Sequence, residues 1–153
     1  MGLVKVDLLA NHPELVPLCA RWNYEAWGRD AGRSMEETID SFMAMLDSSS
    51  REQAFVALVA GAPAGLCLFI ESVLETHRHL RPWLASLFVA PEMRLMGAGT
   101  ALARAVEDSA RRQGEDVLYL YSSQPEYYER LGWERLEELG AEEAGAWVMR
   151  RCL

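Results

Sequence analysis

Basic residues are scarce in this chain. Against 23 Asp and Glu it carries 15 Lys and Arg, a formal net charge of −8 over 153 residues. That balance argues against nucleic acid as a partner, because phosphate backbones are met by clustered Lys and Arg. Cysteine is scarce as well: Cys19, Cys67 and Cys152 are odd in number, lie in apolar surroundings and show no CxxC spacing. They read as reduced core thiols of a cytoplasmic protein rather than as a disulfide framework. Long apolar runs are missing too. The longest uncharged stretch, Ala54 to Ile70, is interrupted by Gly61-Ala62-Pro63-Ala64, which predicts a hairpin and not a membrane span. Near the start, Leu8-Leu9-Ala10 runs at once into Asn11-His12-Pro13, unlike a secretion signal. Val6 stands where a myristoylated Gly2 would need Ser or Thr.

What is present is ordinary globular material, 50% hydrophobic and 25% charged, enough for one domain spanning residues 1–153. Leu3 to Leu9 alternates Val4, Val6 and Leu8 against Lys5 and Asp7, which predicts a half-exposed strand. Asn11 with Glu14 reads as a helix cap, followed by an apolar face of Leu15, Leu18, Cys19, Trp22 and Ala26. Ser34 with Glu37 predicts a second cap, for a helix running to about Asp47. Between these helices Trp27 reads as a packing residue. Phe55 to Val59 and Leu66 to Val73 are the expected hairpin arms. His77, His79 and a glutamate could suggest zinc, but no further ligand completes a tetrahedron, so no metal is expected.

The segment from Trp83 to Gly114 asks for more than packing. Leu84, Leu87, Phe88 and Val89 form an apolar run that Pro91 halts. From Ala98 the residues Ala98, Leu102, Ala105, Val106 and Ser109 recur at helical spacing until Gly114. Between strand and helix, Gly97 and Gly99 fall where the first amides of a helix are still unsatisfied, a place that attracts anions. A P-loop would need Lys-Ser/Thr after the last glycine, and Thr100-Ala101 follows instead. A dinucleotide fingerprint would need a small residue at Leu102 and an acid at the end of the next strand, where Tyr121-Ser122 stand. Farther on, Val117 to Tyr121 predicts a strand and Pro125 to Leu131 a short helix closed by Gly132. Trp133 to Leu139 and Ala146 to Cys152 predict two last strands.

Val89-x-Pro91-x-x-Arg94-x-x-Gly97-x-Gly99 resembles the coenzyme A loop of the GNAT superfamily of acetyl-CoA-dependent N-acetyltransferases, whose pattern is Gln or Arg, two residues, Gly, one residue, then Gly or Ala. Many members also have Gly directly after the Arg, where this chain has Leu95. Tyr127-Tyr128-Glu129-Arg130-Leu131-Gly132-Trp133 is similar to the Phe-Tyr-x-x-x-Gly-Phe segment that closes the acetyl-CoA site in that family.

The resemblance implies an α/β (α+β) fold, a mixed central sheet of about seven strands flanked by about four helices, in the order β-α-α-β-β-β-α-β-α-β-β. It implies acetyl-CoA as co-substrate, with Arg94, Leu95, Met96, Gly97, Ala98, Gly99 and Thr100 at the pyrophosphate and the main chain of Leu87, Phe88 and Val89 along the pantetheine arm. Tyr128 matches the family's general acid, and a phenol with a reference pKa of about 10 stays protonated to serve a leaving thiolate. A lysine-like amine is only about one part in 2,000 unprotonated at neutral pH, so a proton acceptor is wanted. Glu71, directly or through water, is the candidate, with His79 behind it. The acceptor would be a small-molecule or peptide primary amine attacking the thioester directly. A homodimer stays open, as does a non-catalytic acyl-CoA-binding or interaction module.

Overall fold

A computed structural model describes residues 3–143 and 145–153 of the chain; Gly2 lies outside them. The alternation at the start makes β1 (Val4–Leu8). The expected cap at Asn11 does not form, because Asn11 Nδ2 donates to Asp7 Oδ1 at 2.8 Å. Asp7 also accepts from the Leu8 amide and contacts His12, and the Asn11 bond first of all holds its carboxyl below the ordinary value. The chain instead makes two 3-10 turns, Leu9–Asn11 and Pro13–Leu15, and α1 (Val16–Asn23) starts without a side-chain cap. It widens at its end into a π-helical turn, Tyr24–Gly28. The second cap is present: Glu37 N donates to Ser34 Oγ at 3.0 Å and Ser34 N to Glu37 Oε1 at 2.8 Å, opening α2 (Met35–Ala44).

The hairpin is β2 (Gln53–Val59) and β3 (Ala62–Ile70), joined by Ala60 and Gly61. Its second arm begins four residues earlier than Leu66, because Ala62 pairs with Val59 directly after the two-residue turn. There follow β4 (Trp83–Val89), α3 (Ala98–Arg112), β5 (Val117–Ser122), α4 (Pro125–Glu129), β6 (Glu134–Glu138) and β7 (Trp147–Cys152). The seven strands form one sheet in the order β1-β2-β3-β4-β5-β7-β6. All neighbours are antiparallel except β4 and β5.

Each face of the sheet buries its own core. Against α3 lie Phe55, Cys67, Phe69, Leu84, Leu118 and Leu120, meeting Leu102 and Val106. Against α1 and α2 lie Val56, Leu66 and Leu68, meeting Val16, Cys19 and Phe42. Cys19 and Cys67 are core thiols as expected, whereas Cys152 is exposed at the end of β7, where little packs over the strand. Burial pushes the Cys19 thiol up to about 12.

Two features of β4 position the site. It pairs with β5 only through Trp83 and Tyr119, so beyond that point the sheet splits and β4 presents an internal edge. It also bulges: Ala85 faces Leu68 and Phe88 faces Leu66, leaving Ser86 and Leu87 opposite Cys67 alone. Ser86 takes φ +54° there. At Gly65 a Cβ would lie 2.3 Å from the Phe88 carbonyl oxygen, so only glycine lets β3 approach the bulge this closely.

Candidate active site

The split between β4 and β5 opens into a cavity of about 1670 Å³. Leu87, Phe88 and Val89 line it from one strand; Leu120, Tyr121 and Ser122 line it from the other. At its mouth sits the start of α3. Gly97 takes φ +88° as the N-cap and offers no side-chain bond to the helix, so the amides of the first turn face outward without an internal partner. Arg94 folds back so that its Nε donates to the Val89 carbonyl at 3.0 Å. Leu95 is fully exposed at φ +66°. That is the left-handed region glycine favours, so a leucine there holds the loop shape at a strain of about 1 kcal/mol.

Gly99 has a second reason for lacking a side chain: a Cβ would lie 2.6 Å from the Tyr127 hydroxyl. Tyr127 therefore packs over the helix start rather than within the core alone. Its ring meets Tyr128 edge to face at 5.0 Å, and Tyr128 meets Trp133 at 6.2 Å. Tyr128 is buried yet reaches the cavity. Burial first, then the neighbouring Cys67 and Tyr127, raises its phenol above the ordinary value, so it stays protonated at neutral pH.

Of the residues read from the sequence, Leu87, Phe88, Val89, Arg94, Leu95, Gly97, Ala98, Gly99, Thr100 and Tyr128 come together on this cavity. Met96 and Glu71 are not among its lining residues. Glu71 follows β3 with its carboxylate 3.7 Å from Arg51 Nε, while its neighbours Ile70 and Ser72 line the cavity. His77 is buried, with its Nε2 2.9 Å from Glu137 Oε1 and its ring stacked on His79. Among the described residues no group of three His, Cys, Asp or Glu could hold a metal ion.

Other lining residues were not legible as such. Trp27 does not complete a core: it is 43% exposed and stands edge-on to Phe88 at 6.4 Å, carried outward by the π-helical turn. Glu142 and Glu143, in the loop before β7, also line the cavity, and burial together with Glu143 raises the Tyr121 phenol. Asn23 and Ser86 meet across the cavity wall, Asn23 Nδ2 donating to Ser86 Oγ at 2.7 Å. An asparagine inside a helix and a serine inside an apolar strand carry no local mark of such a meeting.

A split parallel strand pair beside a glycine-capped, otherwise uncapped helix start agrees with the comparison to known families. The model of the acetyltransferase (GNAT) family matches residues 14–133. The chain belongs to the GNAT acetyltransferase family. No curated protein sequence matches it. Among solved structures, this GNAT chain is similar in fold to an aminoglycoside 6'-acetyltransferase type Ii, at 20% identity and TM-score 0.75 over 97% of this chain and 96% of that one. An aminoglycoside 6'-N-acetyltransferase complexed with coenzyme A gives 17% identity and TM-score 0.74, over 98% and 96%. The PaiA N-acetyltransferase from Thermoplasma acidophilum, also in complex with coenzyme A, gives 17% and 0.71 over 99% of both chains. No helix among the described residues is long and apolar enough to cross a membrane.

Proposed function

We propose that this GNAT protein transfers the acetyl group of acetyl-CoA to the primary amine of a small molecule or peptide by direct attack. One observation carries the reading: an open internal sheet edge and an uncapped start of a 15-residue helix meet in one cavity. The fit to acetyl-CoA is chemical. Outward amides from Leu95 to Thr100, with the αL turn at Gly97, suit a pyrophosphate. The β4 edge at Leu87, Phe88 and Val89 suits an amide-bearing arm that pairs as a strand would, except that Arg94 already occupies the Val89 carbonyl. Bound acetyl-CoA supplies a thioester, whose carbon–sulfur bond breaks as a carbon–nitrogen bond to the amine forms.

Tyr128, kept protonated by its burial, then donates a hydrogen bond to the departing sulfur and its proton as the thiol forms. It regains a proton from the cavity water that takes up the amine's; the raised pKa secures the protonated form without strengthening the acid. Main-chain N–H groups at the β4 bulge hydrogen-bond the acyl oxygen as it gains charge. The proton given up by the amine nitrogen passes to water in the cavity. Glu71, held at Arg51 and off the lining, is reached through that water rather than directly.

Thermal unfolding with and without acetyl-CoA tests the reading. At 100 times its dissociation constant a ligand adds about 2.7 kcal/mol, a midpoint rise of about 5 to 10 °C for a chain of this size. Gly97→Glu should abolish the rise. Since φ +88° strains any side chain at Gly97, Thr100→Glu serves as a second variant: at the third helical position its charge favours the free protein and opposes a bound pyrophosphate. An equal rise in wild type and Thr100→Glu would overturn the pyrophosphate assignment. Release of free thiol with a panel of amines then reports turnover, and a rise without any turnover would point to a binding module.

A further inference from the structure

The acetyl-transfer reading leaves the seat of the attacking nitrogen unassigned, and the following inference rests on that reading. Asn23 ends α1 where the helix widens into its π-helical turn, and it is 8% exposed. Its Nδ2 donates to Ser86 Oγ at 2.7 Å, while its Oδ1 accepts no hydrogen bond from the described residues. The fully buried side-chain polar atoms without a partner are Glu71 Oε1 and Arg151 Nε, among the described residues. Asn23 Oδ1 therefore keeps an opening, and the space that Asn23 borders is the cavity. An acceptor that opens on a cavity is satisfied by water there, and the N–H of a bound molecule can take that water's place.

Ser86 completes the arrangement. It sits on the β4 bulge, directly before Leu87, and the bulge turns its hydroxyl toward α1. Having accepted one bond from Asn23, Oγ still has a lone pair to offer. Two neutral acceptors thus stand where the α1–α2 half of the cavity, with Trp27 and Phe42, meets the split between β4 and β5.

We propose that Asn23 Oδ1 and Ser86 Oγ seat the attacking nitrogen, each accepting one N–H of a primary amine so that its lone pair turns toward the split. A neutral primary amine has two N–H hydrogens and one lone pair, so fixing both hydrogens fixes the direction of attack. An alcohol or thiol brings one hydrogen, and a neutral tertiary amine none. The pair therefore selects amines over hydroxyl acceptors. The neutrality of both groups matters as well, since a carboxylate at the same place would favour the ammonium ion, which has no lone pair to attack with.

Benzylamine and benzyl alcohol are suitable probes, because an aromatic body suits the Trp27 and Phe88 rings. Titration of the full chain should show benzylamine shifting the Asn23 side-chain 15N resonance and binding more tightly than benzyl alcohol. Asn23→Leu and Ser86→Ala should each weaken benzylamine about threefold to tenfold, one hydrogen bond's worth, and erase the preference over the alcohol. Asn23→Asp, nearly isosteric, should bind benzylammonium more tightly than the wild type, which a purely structural Asn23 would not produce. An unchanged preference in Asn23→Leu, an unmoved Asn23 resonance, weaker benzylammonium binding by Asn23→Asp, or no benzylamine binding by the wild type would each overturn the seat. The amine titrations need no acetyl-CoA. A wild type that binds benzylamine as described but gains no stability from acetyl-CoA would sink the acetyl-transfer reading and leave the seat standing.

Discussion

Single residues here answer to two constraints at once. Gly99 belongs to a loop suited to phosphate, yet its missing Cβ is already required by the Tyr127 hydroxyl at 2.6 Å. Gly99→Ala should therefore cost about 1 to 3 kcal/mol without any ligand, by overpacking, and Tyr127→Phe should restore most of that loss, since the ring carbon Cζ would sit at an ordinary 3.7 Å. Urea denaturation of the two single variants and the double variant measures the coupling. Tyr128 gives a pH prediction with a definite sign. Its phenol is raised in the folded state, so the folded chain binds more protons than the unfolded one once pH passes the unfolded value of about 10, and stability falls from there upward. Below that pH the group has no such effect. The stability of the wild type relative to Tyr128→Phe should stay constant through neutrality and decline above about pH 10, as read from melting midpoints across that range.

At the scale of elements, the hairpin between β2 and β3 turns through Ala60 at φ +51° and Gly61 at φ +82°. A two-residue turn with both angles positive matches the twist of the strands, but alanine is strained in it. Ala60→Gly or Ala60→Asn should stabilise the chain by about 0.5 to 1 kcal/mol in chemical denaturation. A stronger constraint ties α3 to the end of the chain. Glu107 is fully buried, accepts two bonds from Arg104 at 2.9 and 3.0 Å and one from Trp133 Nε1 at 3.2 Å, and lies 3.2 Å from Arg151 Nε. The Arg151 contact is an ion pair without hydrogen-bond alignment, which leaves Nε unsatisfied. Because Trp133 packs on Tyr128, this carboxylate also braces the aromatic wall of the cavity. Glu107→Ala should cost about 3 to 5 kcal/mol by leaving Arg151 and the Trp133 N–H facing an apolar interior, seen as a lowered urea midpoint.

For the whole molecule, one sheet with a helix layer on each face leaves a single parallel junction, and the cavity lies at that junction. The net charge is −8, and Glu142 and Glu143 line the cavity, Glu143 close enough to Tyr121 to act on its phenol, with Arg33 and Arg94 on the same lining. For a polycationic amine acceptor, kcat/KM should fall as salt is raised at constant pH, while benzylammonium, with its single charge, responds less. Steady-state rates across a salt series decide whether the charge steers acceptors or serves solubility alone.

The loop from Arg94 to Thr100, the Ser34–Glu37 cap and the strand and helix order could all be read from the chain, because they follow from local spacing: apolar periodicity, glycine placement and capping pairs act within a few residues. Local reading misled at Asn11, whose amide found Asp7, and at Trp27, which the π-helical turn carried into the cavity. It could not reveal that Glu107 is buried under two arginines and a tryptophan, nor that Asn23 and Ser86, 63 residues apart, would share a hydrogen bond. The sequence by itself determined the elements and the anion-suited turn, since backbone preference and side-chain period are properties of neighbours along the chain. Only the tertiary structure decided where β4 parts from β5, which side chains meet in the gap and that Glu71 stays outside it, because those outcomes depend on how distant elements pack and which polar groups burial forces to find partners.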